Sequence, residues 1–304
     1  MPALPRYACF DFTFDTDVPL GELREAAADD VRPIVRIRHG NVPAGLEGAG
    51  AAEYGVSAAG SRALLDVPET ARYLVESGER ITVATCPDAS PRNVRLFLLG
   101  SALGILAYQR GLLPLHANAV VVDGGAHAFS GPSGAGKSTL AAHFAKAGLE
   151  VLCDDVCTLS FDASGAALAW PGLPRVKLWA DAASALGHDP AALEQAIEGQ
   201  AKYHVPIAGA RRDTAVPLRR LYLLARAGEG EAGTITRLTG AAAMAAVLEN
   251  SYRHEYLDVL GVRAWHFARA AAMLRHVEVW QVRRPWGFGV FEEAASRLAA
   301  HLRS

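Results

Sequence analysis

The sequence predicts an α/β fold: a larger domain over 111–304, built around a strand–loop–helix unit, preceded by a smaller α+β domain over 1–110. Three observations carry this. Residues 126–130 (AHAFS) read as a strand entering a glycine-rich turn. Ser138 to Ala147 (STLAAHFAKA) reads as a helix leaving that turn, closed by Gly148. Upstream, alternating segments are followed by one long apolar helix and then a glycine.

The elements follow in chain order. Residues 6–14 (RYACFDFTF) and 34–38 (IVRIR) alternate as strands do, and 41–50 is Gly/Ala/Pro-rich loop. Val67 to Ser77 has helical spacing, with Pro68 at the start and Gly78 after the end. Arg80 to Ala84 is a strand, and Pro91 opens a helix running to about Arg110. Its apolar run, Leu96 to Tyr108, is too short to span a bilayer and reads as a buried helix. His116 to Val122 is strand-like, and Asp123-Gly124-Gly125 is a hairpin turn. Glu150 to Cys153 is a strand ending at Asp154-Asp155. Trp170 to Trp179 is turn-rich, Leu186 to Gly199 is loop plus helix, and Lys202 to Thr214 is irregular and basic. Leu218 to Ala225 is a strand or short helix, and 239–277 is mostly helical. A late strand at Val277 to Val282 precedes a closing amphipathic helix, Glu292 to Leu302.

The turn itself is Gly131-Pro132-Ser133-Gly134-Ala135-Gly136-Lys137-Ser138-Thr139, a full match to G-x-x-x-x-G-K-[ST]. Glycines let backbone N–H groups curl around a polyphosphate, and a helix N-terminus adds its own donors. Gly131, Ser133, Gly134, Ala135 and Gly136 would form the cradle, with Thr139 ending the motif. Lys137 would reach the β/γ oxygens, and the Ser138 hydroxyl would ligate Mg²⁺. A chance glycine turn is the bland alternative, and the flanking strand and helix argue against it. ATP with Mg²⁺ is therefore the expected ligand; no base-reading motif separates it from GTP or another phosphate donor.

Composition narrows the class. The formal charge of −2 argues against a general pull toward nucleic acid or an anionic membrane. Cys9, Cys86, Cys153 and Cys157 are expected as buried free thiols in a reducing cytoplasm. The N-terminus lacks a basic stretch followed by an apolar one, so a cytoplasmic protein without a signal peptide is expected.

Asp154-Asp155 closes the strand directly after the loop helix. Carboxylates at that end of a sheet sit at the crest where ligands bind. One can hold Mg²⁺; the other can orient or deprotonate an attacking hydroxyl. The bland reading is a strand-end capping pair. The GTPase Asn-Lys-x-Asp and the transporter Leu-Ser-Gly-Gly-Gln are both missing from the sequence.

With these residues in view, Leu115 to about Trp179 resembles the C-terminal catalytic domain of HPr kinase/phosphorylase. The shared layout is His116 ahead of a hairpin, the phosphate loop, Asp154-Asp155 at the next strand end, and the glycine-containing segment Pro171-Gly172-Leu173-Pro174-Arg175. That domain is related in fold to the ATP-dependent phosphoenolpyruvate carboxykinases. Within the group, the whole chain looks most like the stand-alone kinases encoded with lasso-peptide biosynthesis genes, which phosphorylate a serine of the precursor peptide. Residues 96–102 (LFLLGSA) and 111–116 (GLLPLH) fit that subgroup.

The resemblance implies roles. Lys137 binds the β/γ-phosphates and Ser138 ligates Mg²⁺. Asp155 takes the serine proton and Asp154 serves the metal, although the two are exchangeable at this stage. His116 hydrogen-bonds an aspartate and holds its rotamer. Arg175 and Lys177 bind the transferring phosphoryl group or an acidic substrate, and Arg211 and Arg212 close over the nucleotide; plain surface solvation is the alternative for these four. The implied partner is a protein or peptide bearing a serine, with no nucleic acid or membrane and a possible homo-oligomer. The N-terminal domain serves as peptide-recognition module or oligomer interface.

Two departures limit what carries over. Ser138-Thr139 stands where HPr kinases have Ser-Glu, and the glycine-containing segment differs from Arg-Gly-x-Gly. Phosphorylase activity and HPr docking are therefore not carried over, nor is the hexameric state, since the N-terminal region differs. A small-molecule kinase on the same site and a non-catalytic nucleotide-dependent binding module stand as alternatives.

Overall fold

The computed structural model describes residues 4–173, 175–196, 199–206, 212–228 and 230–304. The fold is mixed α/β with several sheets, and the chain forms two compact units: 1–114 with 252–268, and 115–251 with 269–304. This division differs from the expected boundary at 110 chiefly because Tyr252–Ala268 returns to the first unit.

In the first unit, eight strands among the described residues form one mixed sheet. Phe12–Thr16 and Ile34–His39 pair in parallel, as do Ile34–His39 and Arg80–Thr85; the remaining pairs are antiparallel. The expected helix at Val67 to Ser77 is instead a hairpin: Arg62–Val67 pairs antiparallel with Ala71–Glu76. Apolar residues here fit both a helical and a strand period. The strand period wins because Ala71, Tyr73 and Val75 alternate into the core, and all three are fully buried. Pro68 starts the turn, and Glu69 takes the left-handed conformation at φ 59°.

The Pro91 helix forms as expected, over Pro91–Phe97 and Leu103–Gln109, joined by a π-helical segment at Leu98–Ala102. From Leu98 to Tyr108 its apolar run is buried apart from Gly100, while Leu96 and Phe97 are half-buried. Among the described residues no helix is long and apolar enough to cross a membrane. All four cysteines are free; Cys86 is half-buried rather than buried.

In the second unit, Ala117–Val122 and Gly125–Ser130 form the expected hairpin. Gly125–Ser130 then pairs in parallel with Val216–Arg226, which pairs in parallel with Glu278–Arg284. These three parallel strands end on one side, where the glycine-rich loop begins. Loop helix Lys137–Lys146 packs Leu140 and Phe144 into a core with Phe129, Tyr222, Val282, Phe291 and Leu298. Phe129 stacks on Tyr222 with ring centroids 5.4 Å apart. The closing helix, Phe288–Leu302, starts four residues earlier than expected.

Two expected irregular segments contain strands. Arg175–Trp179 pairs antiparallel with Lys202–Pro206 as a two-stranded ribbon. Val176, Leu178 and Val205 pack against Ala141 and Ala142 of the loop helix. Strand alternation then turns Lys177, Trp179 and Lys202 the other way.

Candidate active site

The site is a cavity of about 240 Å³ wholly within the second unit. The glycine-rich loop from Ser133 to Thr139 forms its floor. His116, Asp155, Lys177, Trp179 and Lys202 line one part of its wall, and Arg284, Trp286 and Gly287 another.

The loop needs glycine at two positions for different reasons. At Gly131, φ is 138° and a Cβ would lie 2.5 Å from the Leu224 carbonyl oxygen of the neighbouring strand. At Gly136, φ is 81° and the space is filled by the Arg284 guanidinium. Lys137 Nζ rests on the loop itself, donating to the Gly131 carbonyl at 2.7 Å. Burial pushes its pKa down, opposed by Asp155 and Asp154. A partly desolvated ammonium held on neutral carbonyls could exchange them for the oxygens of an anionic ligand.

Asp154 and Asp155 diverge. Asp154 is 6% exposed; its Oδ1 accepts from Ser138 Oγ at 2.8 Å, and its Oδ2 accepts from the Lys177 backbone N–H at 2.8 Å. Burial and then the neighbouring Asp155 charge push its pKa up. Asp155 takes a left-handed φ of 71°. Such backbone outliers cluster at functional sites. Its Oδ2 accepts from Lys177 Nζ at 2.9 Å. Burial alone would raise its pKa, but Lys177 and then His116 outweigh that and hold the carboxyl well below the usual range.

His116 Nδ1 lies 3.1 Å from the Asp155 carbonyl oxygen and 3.5 Å from Oδ1. A carbonyl can only accept, so this contact places the proton on Nδ1. The closer partner is thus the backbone of Asp155 rather than the expected carboxylate. Burial and then Lys137 lower the His116 pKa. The His116 backbone is anchored twice: its N–H donates to the Asn250 carbonyl at 2.8 Å, and its carbonyl accepts from Ser130 Oγ at 2.6 Å.

Of the other expected cations, only Lys177 lines the cavity among the described residues. Arg175 sits two positions earlier on the same strand, outside the lining. Arg212 forms a two-pronged pair with Glu150, both bonds 3.2 Å, also outside the lining. Arg211 lies outside the described residues.

The sequence reading missed Arg284, Trp286, Trp179 and Lys202. Arg284 donates to the Ala135 carbonyl at 2.8 Å, and its guanidinium sits 5.4 Å from the Trp286 ring centroid and 5.5 Å from that of Phe291. Lys202 lies 5.7 Å from the Trp179 ring centroid. A usable signal existed: Arg284-Pro285-Trp286-Gly287 ends a strand at the same crest as the loop.

The donor set suits Mg²⁺. A hydroxyl and a buried carboxylate, already in contact, are hard oxygen ligands. Among the described residues, no three His, Cys, Asp or Glu side chains cluster to hold a metal by themselves. A site of this kind is completed by phosphate oxygens and water.

No family model matches the chain, and no curated protein matches it. Among solved structures, the Hpr(Ser) kinase/phosphatase from Coxiella burnetii superposes on 62% of this chain and 97% of its own, with 13% identity and a TM-score of 0.33.

Proposed function

We propose that the chain is an ATP-dependent kinase that phosphorylates a serine hydroxyl of a protein or peptide. The divergence of Asp154 and Asp155 carries this reading. One carboxylate is buried against the loop hydroxyl, and its neighbour is held ionised in the cavity. Phosphoryl transfer needs that division between a metal ligand and a group that positions the attacking hydroxyl.

Each residue then has a task. Ser138 and Asp154 hold Mg²⁺, which supplies charge neutralisation on the phosphate oxygens. Lys137 stabilises charge on the transferring group. Asp155 orients the serine hydroxyl and accepts its proton. Its low pKa makes it a weak base, which suits a loose transition state in which the proton leaves late. Lys177 keeps Asp155 ionised, and His116 fixes the backbone that presents it. A lasso-peptide precursor is the acceptor suggested by the sequence resemblance, and the cytoplasm is the compartment that suits an ATP-dependent kinase.

An intact-mass assay tests the reading. The protein is incubated with Mg²⁺, ATP and the peptide encoded beside its gene. A gain of one phosphoryl group, about 80 Da, is expected on the peptide. Lys137→Ala should abolish it. ATP binding without any acceptor-dependent turnover would overturn the kinase reading in favour of a binding module.

A further inference from the structure

The cavity has two aromatic ends. Trp179 and Trp286 each expose 45% of their surface, which is unusual for so large an apolar side chain, and both line the same cavity. Their neighbours differ. Trp179 is two positions along the strand from Lys177, the partner of Asp155, so it belongs to the end where the acceptor hydroxyl would be activated. Trp286 stands beside the loop: its Cη2 is 4.0 Å from where a Cβ at Gly136 would be.

Trp286 also stands beside an anchored neighbour. The Arg284 guanidinium lies near its ring, and that guanidinium is fixed by Phe291 and by the Ala135 carbonyl. Pro285 precedes it, and Gly287, with φ 120°, turns the chain into the closing helix. Stacking on such a ring loses little conformational entropy.

The two carboxylates that line the cavity are each engaged. Asp155 pairs with Lys177, and Asp181 Oδ1 accepts from the Ala182 N–H at 2.8 Å. Ser133, Ser138 and Thr139 belong to the loop. On the Arg284–Gly287 wall the polar side-chain groups are the Arg284 guanidinium and the Trp286 indole N–H, both donors.

We propose that Trp286 is the nucleobase platform of the donor site, and that it holds the base by stacking alone, without separating adenine from guanine. This rests on the nucleotide-binding reading above. Stacking on an indole is indifferent to the base edges because every base has a π-face.

The test is calorimetric titration, with Mg²⁺ present, of ATP, GTP and inorganic tripolyphosphate. For the parent protein, ATP and GTP should bind within about threefold of each other, and both more tightly than tripolyphosphate. Trp286→Ala should weaken both nucleotides by about tenfold or more while tripolyphosphate is unchanged, which also reports that the variant is folded. Trp286→Phe should restore most of the affinity. A strong preference for one purine, or nucleotide affinity unmoved in Trp286→Ala, overturns the proposal and leaves the phosphate loop intact. Loss of tripolyphosphate binding in Trp286→Ala also overturns it, making the indole a support for the loop. A parent protein that binds none of the three overturns the nucleotide reading itself, and the platform with it.

Discussion

The Arg284 guanidinium fills the space beside Gly136 that any larger residue would need. Gly134 has almost the same backbone, φ 79° against 81°, yet nothing lies within 4 Å of its would-be Cβ. The two glycines therefore separate backbone strain from crowding. Gly134→Ala should cost about 1–2 kcal/mol, the left-handed penalty alone. Gly136→Ala adds overpacking of about 1–3 kcal/mol, since Arg284 is held by Ala135, Trp286 and Phe291 and cannot swing away freely. Denaturant unfolding of both variants checks the difference, and nucleotide titration should show the larger loss for Gly136→Ala.

The two aspartates should fail in different ways. Asp155→Asn keeps its place beside Lys177 but cannot take a proton. It should bind nucleotide at near-parental affinity and lose transfer by roughly 10²–10⁴-fold. Asp154→Asn removes the charge that faces Ser138 and should raise the Mg²⁺ requirement for nucleotide binding by about tenfold or more. Mg²⁺ titrations at fixed ATP, run beside single-turnover transfer, separate the two. Near-parental transfer by Asp155→Asn would transfer the base role elsewhere.

The legible parts of this site were the local ones. The loop, its flanking strand and helix, and Asp154-Asp155 are short contiguous patterns, each set by backbone chemistry within a few residues. Arg284 touches the loop across 149 positions, and only the strand order brings them together. Lys177 stood out as a cation, but its alternation with Val176 and Leu178 became visible only once Lys202–Pro206 paired beside it. The hairpin at Val67 to Ser77 was misread because helical and strand periods share Ala71 and Val75 there. Burial decided between them, and burial depends on the rest of the sheet.

Lys177 should set the acid limit of the reaction. In the proposed mechanism Asp155 works as an anion, and its folded-state pKa lies below the ordinary value because Lys177 and then His116 outweigh the burial. Activity that depends on this carboxylate is therefore present above that depressed pKa and lost as pH falls through it. Lys177→Met removes the larger opposing charge, so the Asp155 pKa rises. The acid limb of the pH–rate profile should move to higher pH. An unmoved acid limb would show that Asp155 does not carry the proton.

Stability should also be lost on mild acidification, through a group remote from the chemistry. His127 is 5% exposed, and its Nδ1 is buried with no hydrogen-bond partner. Burial, and then the charges of Arg220 and Arg219, lower its pKa from 6.5 to about 4. The folded protein therefore resists a proton that the unfolded chain accepts. Between pH 6.5 and about 4 the unfolded state binds more protons, so stability falls as pH falls. The full drop corresponds to about 3 kcal/mol at most across that window. Above pH 6.5 both states are neutral at this ring and the contribution is flat. His127→Phe keeps the ring packed beside Tyr222, whose centroid is 6.4 Å away, and removes the titration. Urea unfolding at pH 7 and pH 4.5 should show a smaller loss for the variant than for the parent. Equal losses would mean that His127 is protonated in the folded state or reached by solvent, and that the acid sensitivity lies with other groups.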